Sequence, residues 1–192
     1  MRNERQIDSN NIALKEWNAT CRALELGTQI ILLRKGGLLD PDGKFDLEYS
    51  GFWLAPTKWH EDASLVKSQH QDLLQPAPAS RGVLWLAAWA QVEKSWAVSF
   101  EEREKLASLN HIWSTSYLDS RWNYQPERPL IVVALRVWKL PEVFEVPFQP
   151  KYSGCRSWIE MNEFLAIKNT QPALSDEAFT RELQSAERVL SA

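Results

Sequence analysis

Two uninterrupted apolar runs stand out in an otherwise mixed pattern: Ile30-Ile31-Leu32-Leu33 inside TQIILLRKGG, and residues 130–135 opening LIVVALRVWKL. Each is too short for a typical helix, so each predicts a strand buried on both faces, over about 28–35 and 130–140. The first reads as the central strand and delivers Arg34 and Lys35 to a Gly36-Gly37 turn; the second is interrupted by Arg136. Cations on buried strands need partners, and Asp46 or Glu48 is the expected one.

Elsewhere the period changes. Ile12, Leu14, Trp17, Cys21 and Leu24 fit one face of a helix, with Asn10 or Asn11 as N-cap and Gly27 past the end. Asp40-Pro41-Asp42-Gly43 has turn chemistry, residues 45–49 alternate apolar and acidic, and 52–55 form a strand stopped by Pro56. Residues 28–55 therefore read as an antiparallel meander. A helix is expected over 62–74 and a surface linker over 75–82, QPAPASRG. Val83, Trp85, Ala87 and Trp89 alternate, predicting a strand or hairpin over 83–98. Ser99 and Glu102 make a capping box for a short helix to about 109, and residues 110–124 hold another. Residues 142–148 alternate as the antiparallel neighbour of 130–140. Ser175 caps a C-terminal helix with Phe179, Leu183, Ala186 and Leu190 on one stripe. Helices and strands mix without βαβ alternation. The predicted class is α+β: a mainly antiparallel sheet or partly closed β-barrel, with peripheral helices and a C-terminal amphipathic helix over 173–192. A length of 192 residues fits a single domain with residues 1–10 disordered.

Composition narrows the function classes. With 22 basic against 25 acidic residues, the chain lacks the cation excess that indiscriminate polyanion binding uses. Two cysteines make neither a disulfide framework nor a zinc cluster, and the expected compartment is a reducing cytoplasm. Neither a signal-peptide pattern nor a membrane-length apolar run is seen. Ten tryptophans exceed what one core of this size needs, so one or more is expected to line a pocket or interface.

Several blocks occur in order: ALKEW at 13–17, ILLRKGG at 31–37, FWLAPT at 52–57 followed by His60, HIW at 111–113, PLIVVALRVWKL at 129–140 and YSGCRSW at 152–158. Together they resemble an uncharacterised bacterial family, commonest in cyanobacteria, known as a domain of unknown function. The resemblance spans residues 13–158 and implies kinship without an activity. Trp59-His60-Glu61 departs from it, since His followed by Gln is expected there.

Candidate chemistry falls into a few constellations, each with a plainer alternative. Arg34, Lys35 and the two glycines fit an anion-binding turn, or simply end a strand. His60 and His111 lie in aromatic loops and suit general acid/base work; a structural role is the alternative. His70 is expected to be solvated. A metal would draw on His60, His111, and Cys155 or Asp119, without HxH or CxxC spacing, so no metal and no cofactor are expected. Cys155 beside Arg156 would be an activated thiolate with His111 as base, or a buried inert cysteine. Asp40, Asp42, Asp46 and Glu48 suggest a metal-dependent nuclease less well than turn formers. Trp59, Trp113, Tyr117, Arg121, Trp122, Tyr124, Arg156 and Trp158 interleave aromatics with cations, as base-stacking and phosphate-pairing surfaces do.

The expected function is a binding module for a nucleotide, nucleic acid or other anionic partner. Its candidate binding residues are Arg34, Lys35, Trp59, His60, His111, Trp113, Tyr117, Arg121, Arg156 and Trp158. The alternatives are a hydrolase or phosphodiesterase using His60 or His111 with an arginine, and a regulatory domain that binds a protein partner.

Overall fold

The second apolar run becomes the spine of the molecule. In the computed structural model, which describes residues 8–35, 46–57, 62–74, 82–154 and 156–191, β4 (Val83–Val98) and β5 (Leu130–Pro147) pair antiparallel from Val83↔Pro147 to Val98↔Leu130. Residues 83–98 are thus one strand. Residues 142–148 are not a neighbour of 130–140; they continue the same strand as far as Pro147. Pro141 does not break it, because the register jumps between Leu86↔Phe144 and Ala88↔Lys139, and the irregularity absorbs a residue that cannot donate to the ladder.

The other strands flank this pair. β2 (Ile31–Arg34) lies on the outer side of β5, as does the two-residue β7 (Gln171–Pro172) further along. On the other flank β3 (Gly51–Thr57) runs antiparallel to β4, β1 (Ser9–Trp17) runs parallel to β3, and β6 (Trp158–Ala166) runs antiparallel to β1. The order is β2-β5-β4-β3-β1-β6, a mixed and mostly antiparallel sheet that is not closed. The fold is α+β. TQIILLRKGG therefore supplies an edge strand, not the central one. It is buried on both faces nonetheless, with Ile31 and Leu33 in one apolar cluster and Leu32 in another.

Three further expectations change. β1 occupies residues where a helix was expected from Ile12, and α1 (Asn18–Glu25) follows it. Tertiary burial overrides the helical spacing: Ile12 and Leu14 face one cluster while Ala13 faces another, so both sides of the segment are covered. Asn10 does not cap a helix; its Oδ1 accepts from Ile12 N at 2.6 Å beside a register shift. Gly27 does end α1, at φ +68, with Thr28 N donating to Ala23 O and Gly27 N to Leu24 O, a closure that favours glycine. The meander over 28–55 is absent, because β2 and β3 are not neighbours and residues 46–49 are not a strand. The expected turn at 40–43 lies outside the described residues, as does most of the linker over 75–82. Two 310 turns, Ala63–Leu65 and Ser68–Leu74, stand where one helix was expected.

The local capping signals hold. Ser99 and Glu102 form the capping box ahead of α2 (Glu104–Ala107), and Ser114 caps α3 (Thr115–Asn123). Ser175 Oγ accepts from Ala178 N at the start of α4 (Asp176–Leu190), whose Phe179, Ala186 and Leu190 are buried. Both α2 and α3 belong to residues 99–129, which join β4 to β5. Arg136 pairs with Asp176 at 2.5 Å and lies 4.6 Å from the Phe179 ring, so its partner is the start of α4 and not Asp46 or Glu48. No helix among the described residues is long and apolar enough to cross a membrane.

Candidate functional site

The two edges of the sheet meet through the side chain of Arg34. β2 and β6 stand at opposite ends of the strand order, yet Arg34 at the end of β2 reaches the far edge. Its Nη1 donates to Lys15 O at 3.3 Å and to Glu16 Oε2 at 3.0 Å, and its Nη2 donates to Ser157 Oγ at 2.5 Å. Glu16 is only 7% exposed, and its other oxygen accepts from Trp17 N. Lys15 Nζ holds the carbonyls of Tyr152 and Gly154. Stretches 13–17, 31–35 and 152–158 thus converge where the curled sheet nearly closes. The cation that ends the apolar run is a clasp across that seam.

Helix α3 packs beside the clasp. Tyr117 is buried, with Trp17 edge-on at 5.0 Å and Trp113 stacked at 5.5 Å and 12°. Burial raises the Tyr117 hydroxyl well above the usual phenol range, and the charge of Glu16 adds to this. Lys35, 4% exposed, donates to the carbonyls of Arg121 and Trp122 and lies 5.4 Å from the Trp122 ring. It therefore serves the C-terminus of α3, where a cation meets both orphan acceptors and the negative end of the helix dipole. Burial lowers its ammonium pKa, with Glu127 opposing that shift and Arg121 reinforcing it.

Arg121 is held differently. Its guanidinium lies 5.7 Å from the Tyr117 ring and 5.5 Å from the Tyr124 ring, and it pairs with no carboxylate among the described residues. Its Nε is buried without a hydrogen-bond partner among them. Next along the chain, Gln125 adopts φ +47, and its Nε2 contacts Tyr124 Oη at 3.4 Å.

The remaining candidates spread out. Trp113 is 1% exposed and His111 2%, so neither ring presents a face to a ligand in this conformation. His111 Nε2 lies 3.0 Å from Leu106 O, which makes it the protonated nitrogen, and burial holds the imidazole pKa down to about 4 with Lys67 contributing. The ring is neutral and tied into the core. Trp158 packs edge-on against Tyr49 and Phe52 and donates to Asp46 O, while Arg156 is exposed beside Ser157. Trp59, His60 and Cys155 lie outside the described residues. Among the described residues no three of His, Cys, Asp and Glu gather closely enough to hold a metal. None of the nine described tryptophans is exposed: four are buried and five half-buried.

Residues 13–185 match the model of a family described as a domain of unknown function, DUF1802. The chain belongs to that family. No curated protein and no solved structure matches it. In this DUF1802 domain the sequence reasoning found Arg34, Lys35, Tyr117 and Arg121, which do come together, and missed Glu16 and Ser157. Glu16 lies off the stripe of Ile12, Leu14, Trp17, Cys21 and Leu24 from which a helix was expected, so nothing in the pattern marked it for burial. Once that segment is a strand with both sides covered, the acid is buried and a cation must answer it.

Proposed function

We propose that this domain is a binding module for an anionic partner, a nucleotide or nucleic acid among them, and that the ligand meets it where α3 adjoins the end of β2. The observation that supports this reading is the half-buried Arg121 guanidinium, set between two tyrosines without a carboxylate among the described residues, next to the cations Arg34 and Lys35. Guanidinium groups in such settings suit bidentate contact with phosphate or carboxylate. The aromatic contacts shift accordingly, from the buried Trp113 to Tyr124 at the surface of the cluster. A reducing cytoplasm fits the cysteine content.

Calorimetric titration with a nucleoside triphosphate, single-stranded DNA, single-stranded RNA and citrate, each at low and high salt, tests the module. Saturable binding by at least one anion, weakened by salt, is expected. Absence of heat and of any change in tryptophan fluorescence with all four would refute it.

A further inference from the structure

We propose that the anion recognised here is a phosphomonoester and that Arg121 is its contact residue; this rests on the binding-module reading. The choice of residue follows from what the other cations already do. Arg34 is committed to Glu16, Lys15 O and Ser157, and Lys35 to the last carbonyls of α3. Arg121 lies over the rings of Tyr117 and Tyr124, contacts that use none of its hydrogen-bond donors. A helix C-terminus ordinarily repels an anion, but Lys35 occupies the carbonyls of Arg121 and Trp122 and reverses the local sign.

The charge balance selects the ligand. Arg34 is neutralised by Glu16, and Arg128 has Glu127 at 3.8 Å. Glu127 also acts on Lys35, so among the described residues the four cations Arg34, Lys35, Arg121 and Arg128 face two carboxylates, Glu16 and Glu127, and an excess of two positive charges is left. A dianion matches that excess; a carboxylate or a phosphodiester, with one charge, does not. Beside them Gln125 holds a left-handed backbone that non-glycine residues seldom adopt, and its buried Oε1 lacks a partner among the described residues. Both features sit at the residue that follows Tyr124, whose ring Arg121 meets.

Inorganic phosphate, adenosine monophosphate, and one oligonucleotide with and without a 5′-phosphate separate the sources of this chemistry by calorimetry on the full chain. Phosphomonoesters are expected to bind, the 5′-phosphorylated oligonucleotide more tightly than its unphosphorylated twin. Affinity should fall as pH drops through the second phosphate ionisation at about 6. Arg121→Gln should weaken binding about tenfold or more without lowering Tm, with Arg121→Lys intermediate because it keeps the charge and loses the fork. Should Arg121→Gln fold poorly, Arg121→Lys carries the test alone. Unchanged affinity in the Arg121 variants, or equal binding of both oligonucleotides, overturns the assignment while leaving an anion module standing. Failure of the unmodified chain to bind any anion removes both.

Discussion

Replacing Arg34 by methionine removes the side chain that clasps the two edges of the sheet. The substitution deletes donors to Lys15 O, Glu16 and Ser157, and leaves the Glu16 carboxylate buried with Trp17 N as its remaining described hydrogen bond. Breaking one side of a buried ion pair costs about 3–5 kcal/mol. Arg34 is 15% exposed and Glu16 keeps that backbone donor, so the lower end, about 3 kcal/mol, applies. For a chain of this size each kcal/mol moves Tm by about 2–4 °C, which gives a fall of about 6–12 °C. Urea melts of the wild type, Arg34→Met, Glu16→Gln and the double variant close a thermodynamic cycle. Removing both charges should recover about 1–3 kcal/mol relative to the sum of the single changes. A Tm shift under about 3 °C, or strict additivity, would show that the seam is held by apolar packing and that the pair is incidental.

Other expectations follow from single features. His111 is neutral when folded, with its pKa held at about 4 against an ordinary imidazole value of 6.5. The unfolded chain binds more protons between those values, so stability is full above about pH 6.5 and declines toward pH 4, by up to about 3 kcal/mol. Urea midpoints across that window test this, and His111→Gln should flatten the slope. Glu25 has the opposite sign: burial raises its carboxyl from 4.5 to about 7. Its contribution is favourable below pH 4.5 and is lost as pH rises through 7, so Glu25→Gln should raise Tm at pH 8 and leave it unchanged at pH 4.5. At Gly51 an added Cβ would lie 2.5 Å from Trp89 Cζ2, in a ring packed edge-on against Trp53 at 5.3 Å. Gly51→Ala should therefore destabilise by about 1–3 kcal/mol in thermal melts.

What the sequence disclosed depended on how local its cause was. Ser99 with Glu102, Ser175 and Gly27 act on their own helices, and each begins or ends an element where its chemistry requires. The class followed from the mixture of periods. Strand order did not, because β1 pairs with residues 53–57 and 158–166, and no short-range signal encodes a partner so distant. The expected helix at Ile12 failed for the same reason: Ile12, Ala13 and Leu14 serve two clusters on opposite sides of a strand, which erases the alternation that would have marked it. In the site, Arg34 and Lys35 were visible as cations at the end of an apolar run, and Arg121 as a cation among aromatics. Their division of labour was not, since it depends on Glu16 and on the last carbonyls of α3.

The placement of β1 also sets a timetable for synthesis. This strand leaves the ribosome well ahead of β6, one of its two partners, which ends at Ala166. At about 5–20 residues per second, some 7–30 s separate the emergence of Trp17 from that of its antiparallel neighbour. Through that interval Ile12, Ala13 and Leu14, all buried in the finished fold, are left without the strand that pairs with them. Over the same interval Arg34 lacks Ser157, so the seam closes only after residue 157 has emerged.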